Sequence, residues 1–138
     1  MKYLVSACLV GVNCRYDGKN NLNPNIKKIY DRKEAILVCP EQLGGLSTPR
    51  VPCERLKNKV IDRNGIDRTK EFYKGAKEAL LIARKNNIMT AIMKKNSPSC
   101  GKGYIYDGSF SGKLISGNGV CVEILEENGI KVLTEDDF

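Results

Sequence analysis

Short apolar runs alternate along this chain with longer amphipathic or polar stretches. Tyr3–Cys8, Ala35–Cys39 and Ile88–Met93 are apolar almost throughout, as strands covered on both faces are, and Ile130–Leu133 is a fourth such run. Between them the spacing predicts helices. Asn23-Pro24 supplies a cap followed by proline at the first helical position, and Ile26, Ile29 and Tyr30 carry that helix to about Lys33. Phe72, Ala76, Ala79, Leu80 and Ala83 recur at helical spacing within Asp67–Asn87, with Asp67 as its cap. Val120–Asn128 is a third helix, closed by Asn128-Gly129. Two segments fit neither pattern. Pro40–Asp67 reads as a long loop with a turn or short hairpin near Asn64-Gly65, and loops of that length are often functional. Gly101–Gly119 is glycine-rich. The alternation of strand and helix predicts an α/β fold: a single Rossmann-like domain over residues 1–138, with a mostly parallel sheet flanked by helices.

Cysteines stand at or beyond the ends of three of these apolar runs. Cys8 and Cys39 end the first two, and Cys100 comes after the third through Lys94-Lys95-Asn96-Ser97-Pro98-Ser99. In parallel sheets ligands bind beyond the carboxyl ends of the strands. If the runs are neighbours in one sheet, three thiols distant in sequence meet at one edge, which points to a metal cluster. Spacing alone favours buried packing cysteines, since there is no Cys-x-x-Cys pair; it is their convergence at strand ends that argues for a cluster. Cys14 lies in the first loop, near enough to Cys8 to be a reserve ligand or a supporting group. Cys53, between Pro52 and Glu54, reads as a surface thiol, and Cys121 as a core thiol.

Composition narrows the chemistry. The 138 residues include six cysteines and no histidine, so the commonest general base and the commonest nitrogen ligand are both missing. A metal site must use sulfur or oxygen, and a carboxylate is the natural proton carrier. Glu41, directly after Cys39-Pro40, is the candidate; pairing with Arg50 is its plain alternative. Ser97 and Ser99 flank Pro98 and either donate to developing charge or shape the turn. The net charge of +7 raises nucleic acid as a partner, but no basic block exceeds two residues and aromatics do not alternate with it. Leu4-Val5-Ser6-Ala7-Cys8 looks like a lipoprotein cleavage box yet is too short for a secretory signal, and no apolar stretch approaches a membrane span. These features predict a cytoplasmic protein with reduced cysteines and no membrane partner.

Four motifs in order resemble the thiouracil desulfidase family. They are Cys8-Leu9-Val10-Gly11 with Cys14-Arg15-Tyr16-Asp17-Gly18; Cys39-Pro40-Glu41 with Gly44-Gly45-Leu46 and Pro49-Arg50; Ser97-Pro98-Ser99-Cys100-Gly101 with Ile105-Tyr106-Asp107-Gly108; and Gly117-Asn118-Gly119-Val120. The resemblance runs over roughly residues 2 to 135. It implies a 4Fe–4S cluster held by three cysteines, one iron being open to the sulfur of a thiolated nucleobase, and a non-redox reaction in which water replaces that sulfur and hydrosulfide leaves. It further implies Cys8, Cys39 and Cys100 as ligands, and Cys14 as a motif cysteine outside the ligand set. Glu41 would be the general acid/base and Ser97 the group that orients substrate. Cys53 and Cys121 match no cysteine of the pattern. Two other readings stand beside it: a protein that accepts sulfide on the same ligands and passes it on, and a module acting on thiolated tRNA, motivated by the net charge of +7. A plain zinc protein fits worse, since three cysteines without histidine are an unusual zinc site. The substrate expected is a small thiolated nucleobase or related small molecule, with tRNA less favoured; the sequence specifies no oligomeric state.

Overall fold

The computed structural model describes residues 2–138. Its centre is a four-stranded sheet, parallel throughout, in the order β2 (Ala35–Val38), β1 (Tyr3–Ser6), β5 (Thr90–Met93), β8 (Lys131–Thr134). Tyr3 lies level with Ala35 on one side and Thr90 on the other, and Thr90 is level with Lys131. Each strand has only four residues, so burial on both faces has to come from apolar side chains at nearly every position. Leu4, Ala91, Met93 and Val132 face a core built with α3 (Thr69–Lys85) and α4 (Val120–Glu127). Val5, Ala35 and Ile92 face the opposite core, which α1 (Pro24–Asp31) closes with Ile26 and Ile29. The α/β fold and the parallel sheet agree with the sequence reading.

Order β2-β1-β5-β8 makes the chain leave β1 first to one side and then to the other. The switch point therefore lies between β1 and β5, and the crevice beyond their carboxyl ends is where α/β sheets of this kind bind ligands. The segments that leave those ends are Ala7–Val10 after β1, α2 (Pro40–Leu43) after β2, and 94–103 after β5.

Several boundaries differ from the sequence reading. β1 stops at Ser6, and Cys8 sits in a buried 3-10 turn, Ala7–Val10, that Gly11 ends with φ of 96°. The segment Pro40–Asp67 is not a loop throughout. It contains α2 and a hairpin of β3 (Cys53–Leu56) with β4 (Lys59–Asp62), turning at Lys57-Asn58 rather than at Asn64-Gly65. Asn64-Gly65 forms a separate turn held by Asp62, whose Oδ1 accepts from the backbone N–H of Asn64 and of Ile66. Asp67 lies outside α3, although its Oδ1 accepts from Thr69 N–H at the helix start. The glycine-rich stretch holds a second hairpin, β6 (Tyr104–Tyr106) with β7 (Leu114–Ser116). Among the described residues, no helix is long and apolar enough to cross a membrane.

Two glycines fix where α2 lies. A Cβ on Gly75 of α3 would stand 1.7 Å from the Pro40 carbonyl oxygen, and one on Gly44 would stand 1.9 Å from the Glu71 carbonyl oxygen. The backbones of α2 and α3 meet there with no room for a methyl group. Glycine in a helix interior costs about 1 kcal/mol relative to alanine, so alanine at position 75 would stabilise an open helix surface. Here the backbone collision outweighs that gain, since overpacking typically costs ~1–3 kcal/mol. Gly75→Ala is therefore expected to lower the urea midpoint of unfolding; an unchanged or raised midpoint would show that α2 yields freely.

Candidate functional site

At the carboxyl edge of the sheet lies a cavity of about 420 Å³. Cys8, Cys14, Cys39, Cys53 and Cys100 all line it, together with Glu41, Arg50, Ser97 and Ser99. The structure thus brings together every residue singled out as a candidate ligand or catalytic group. Cys8 comes from the turn after β1, Cys39 is the residue between β2 and α2, and Cys100 closes the turn after β5.

That last turn is rigidly built. Ser97 Oγ accepts from the backbone N–H of Ser99 (3.1 Å) and of Cys100 (2.7 Å). The Pro98 and Ser99 carbonyls accept from Val120 and Cys121 N–H (each 2.9 Å), so α4 starts directly on this loop. Gly119 permits the approach, because a Cβ there would stand 2.5 Å from the Ser99 carbonyl oxygen. Cys121 is fully buried beneath, as a core thiol should be.

The thiols are not equivalent. Cys14 lies within hydrogen-bonding reach of both Cys8 and Cys39. Its S–H stabilises the thiolate form of each, lowering Cys8 and bringing Cys39 to about 7 against the opposing effect of burial. The same contacts with Cys39 and Cys8, together with burial, push Cys14 itself up. Asn21 Nδ2 donates to Cys8 Sγ at 3.5 Å, a further stabilising contact. Burial raises Cys100 to about 12, partly offset by hydrogen bonds with Ser6 and Ser99. It must therefore surrender a proton on binding a metal, as thiol ligands do. Cys53 is not the surface thiol the sequence suggested. As the first residue of β3 it is half-buried and turned to the same cavity, and burial raises it to about 12.

Glu41 is fixed at both oxygens. Oε1 accepts from Arg50 Nε at 3.0 Å, and Oε2 accepts from Ser99 Oγ at 3.0 Å. The two serine hydroxyls are themselves 3.0 Å apart. Arg50, whose side chain is 7% exposed, also donates to the Cys14 carbonyl (2.8 Å), the Ser47 carbonyl (3.0 Å) and Thr48 Oγ1 (2.8 Å). It clamps the carboxylate, the Cys14 loop and the segment before it into one unit. Pairing with Arg50 and facing the cavity, alternatives in the sequence, both hold for Glu41. Ser99, a turn residue or a donor by its sequence, is in the structure the partner of the Glu41 carboxylate. Asn21 carries no signal of its role, since nothing local to it indicates that it folds back onto Cys8.

The donors suit an iron–sulfur cluster better than a single ion. They are soft thiols from three separate segments, and the chain has no imidazole. Among the described residues, no three Cys, Asp or Glu side chains gather tightly enough to hold one metal ion.

A family model described as 2-thiouracil desulfurase matches residues 3–137. The uncharacterized protein YbbK of Bacillus subtilis (strain 168) is 42% identical over 145 residues, spanning 98% of this chain and 96% of that protein. A solved structure of the 4Fe-4S-dependent thiouracil desulfidase TudS superimposes with a TM-score of 0.95 at 40% identity, covering 99% of this chain and 92% of the other.

Proposed function

The chain belongs to the 2-thiouracil desulfurase family, and from that premise we propose that it is an iron–sulfur-dependent desulfidase. It exchanges the sulfur of a thiolated nucleobase, thiouracil or a close relative, for the oxygen of water. The carbon–sulfur bond breaks, a carbon–oxygen bond forms, and sulfur leaves as hydrosulfide with no change in oxidation state. The observation that carries this reading is the meeting of Cys8, Cys39 and Cys100 around one cavity with the Glu41 carboxylate.

Those three cysteines would hold a 4Fe–4S cluster, which supplies a soft Lewis acid for the substrate's sulfur. The protein's own groups manage the proton. Each Glu41 oxygen accepts one hydrogen bond and keeps a further lone pair, so the carboxylate can take a proton from water while Arg50 and Ser99 hold it still. The same carboxyl group returns the proton to the base nitrogen. Ser97 orients the bound base and also fixes the turn that presents Cys100. Cys14 remains a protonated thiol that supports Cys8 and Cys39 without joining them. A cavity of about 420 Å³ is in the range of small-molecule sites.

Anaerobically purified protein, reconstituted with iron and sulfide, is expected to convert 2-thiouracil to uracil with one sulfide released per uracil. Product formed equally well after the iron is chelated, or none formed by iron-loaded protein, would refute the reading.

A further inference from the structure

The outer wall of the cavity comes from the two hairpins rather than from the sheet. Glu54 of β3 and Arg63, just past β4, meet Phe110 of the β6–β7 turn there, and all three line the cavity. Glu54 Oε1 accepts from the backbone N–H of Gly108 (3.0 Å) and of Phe110 (3.1 Å), tying one hairpin to the other. The Arg63 guanidinium lies over the Phe110 ring, 5.6 Å from its centroid. Arg63 makes no ion pair with a carboxylate among the described residues.

Phe110 adopts φ of 57°. A left-handed backbone is uncommon for a bulky side chain and persists only where the surroundings over-determine it. Glu54 and Arg63 provide that determination, from the backbone and the ring side respectively. Tyr16 and Tyr106 also border the cavity, but neither is held by a carboxylate reaching across from another hairpin.

We propose that Phe110, held by Glu54 and Arg63, is the ring on which the substrate base stacks, so that it selects flat aromatic thio-compounds. The inference rests on the desulfidase reading only for the kind of ligand. A thiolated pyrimidine is flat and presents a π-face, and stacking on an aromatic side chain accepts that face without hydrogen-bond readout.

Calorimetric binding to the iron-loaded protein, without oxygen, tests this with uracil and with 5,6-dihydrouracil, which keeps the polar groups but loses the aromatic face. Wild-type protein is expected to prefer uracil. Phe110→Leu should lose about 5- to 150-fold in uracil affinity while binding dihydrouracil unchanged, and Phe110→Tyr should restore uracil binding. The KM for 2-thiouracil should rise in parallel for Phe110→Leu with kcat nearly constant. Unchanged uracil affinity in Phe110→Leu, equal loss of both ligands, or no uracil binding by the wild type would overturn the proposal. Wild-type protein that binds uracil in this pattern yet releases no sulfide would contradict the desulfidase reading instead.

Discussion

Replacing Cys8, Cys39 or Cys100 by alanine is expected to abolish iron binding, each on its own. Reconstituted wild-type protein should carry about four iron atoms per chain and be brown, whereas each variant should stay nearly colourless with less than about one. The effect should be this large because each of the three stands on its own segment leaving the sheet, so neither of the others can take its place. The chain has no histidine to stand in for a lost thiolate. Cys53 supplies the sharpest control. It lines the same cavity and is a free thiol, yet it stands on β3, not on a segment leaving the sheet. Cys53→Ala and Cys121→Ala are expected to keep the full iron content and the visible absorption band. Iron lost from Cys53→Ala, or retained in any of the three ligand variants, would redraw the site. Circular dichroism separates loss of iron from loss of fold.

The second large effect concerns Glu41. Glu41→Gln should retain the cluster and lose turnover by ~10²–10⁴-fold, the usual contribution of a positioned acid–base group. Glutamine is the informative substitution. Alanine would leave the largely buried Arg50 guanidinium unpaired, and breaking a buried pair costs ~3–5 kcal/mol, so a dead alanine variant would mix chemistry with collapse. Glutamine keeps an oxygen to accept from Arg50 or Ser99. Single-turnover assays on protein matched for iron content give the rate directly. A glutamine variant within about threefold of the wild type, well short of that range, would remove Glu41 from the proton transfer.

How much of the fold is legible in the sequence depends on element length. The sheet is legible because Leu4-Val5, Ile36-Leu37 and Ala91-Ile92 are continuous apolar pairs that suit a strand buried on both faces. The first two cysteines are placed with it, since Cys8 and Cys39 lie within two residues of strand ends. Cys100 is different: six residues separate it from Met93, and its position depends on Ser97 capping the turn and on α4 binding the Pro98 and Ser99 carbonyls. The motif marks the residue; only the fold explains its place. The four-residue α2 and the two hairpins are not legible, because segments of three or four residues carry too little periodicity to declare themselves. β7 is exposed at every position, Leu114 and Ile115 included, so it has no buried face to mark it. Those short elements bring Cys53, Glu54, Arg63 and Phe110 to the cavity. The outer half of the site is therefore hidden in the sequence, while the inner half is visible. Likewise nothing in Gly44 or Gly75 announces that two helix backbones touch there, since the contact is long-range and the glycines look ordinary.

Whether three thiolates, and not four, hold the cluster decides whether an iron is left open for substrate. A crystal structure of iron-loaded protein prepared without oxygen tests this most directly. The expected result is a four-iron cluster bonded to the Sγ atoms of Cys8, Cys39 and Cys100 only, with the remaining iron on the side of Glu41. A bond from Cys14 to that iron, or a single metal ion in place of the cluster, would contradict it.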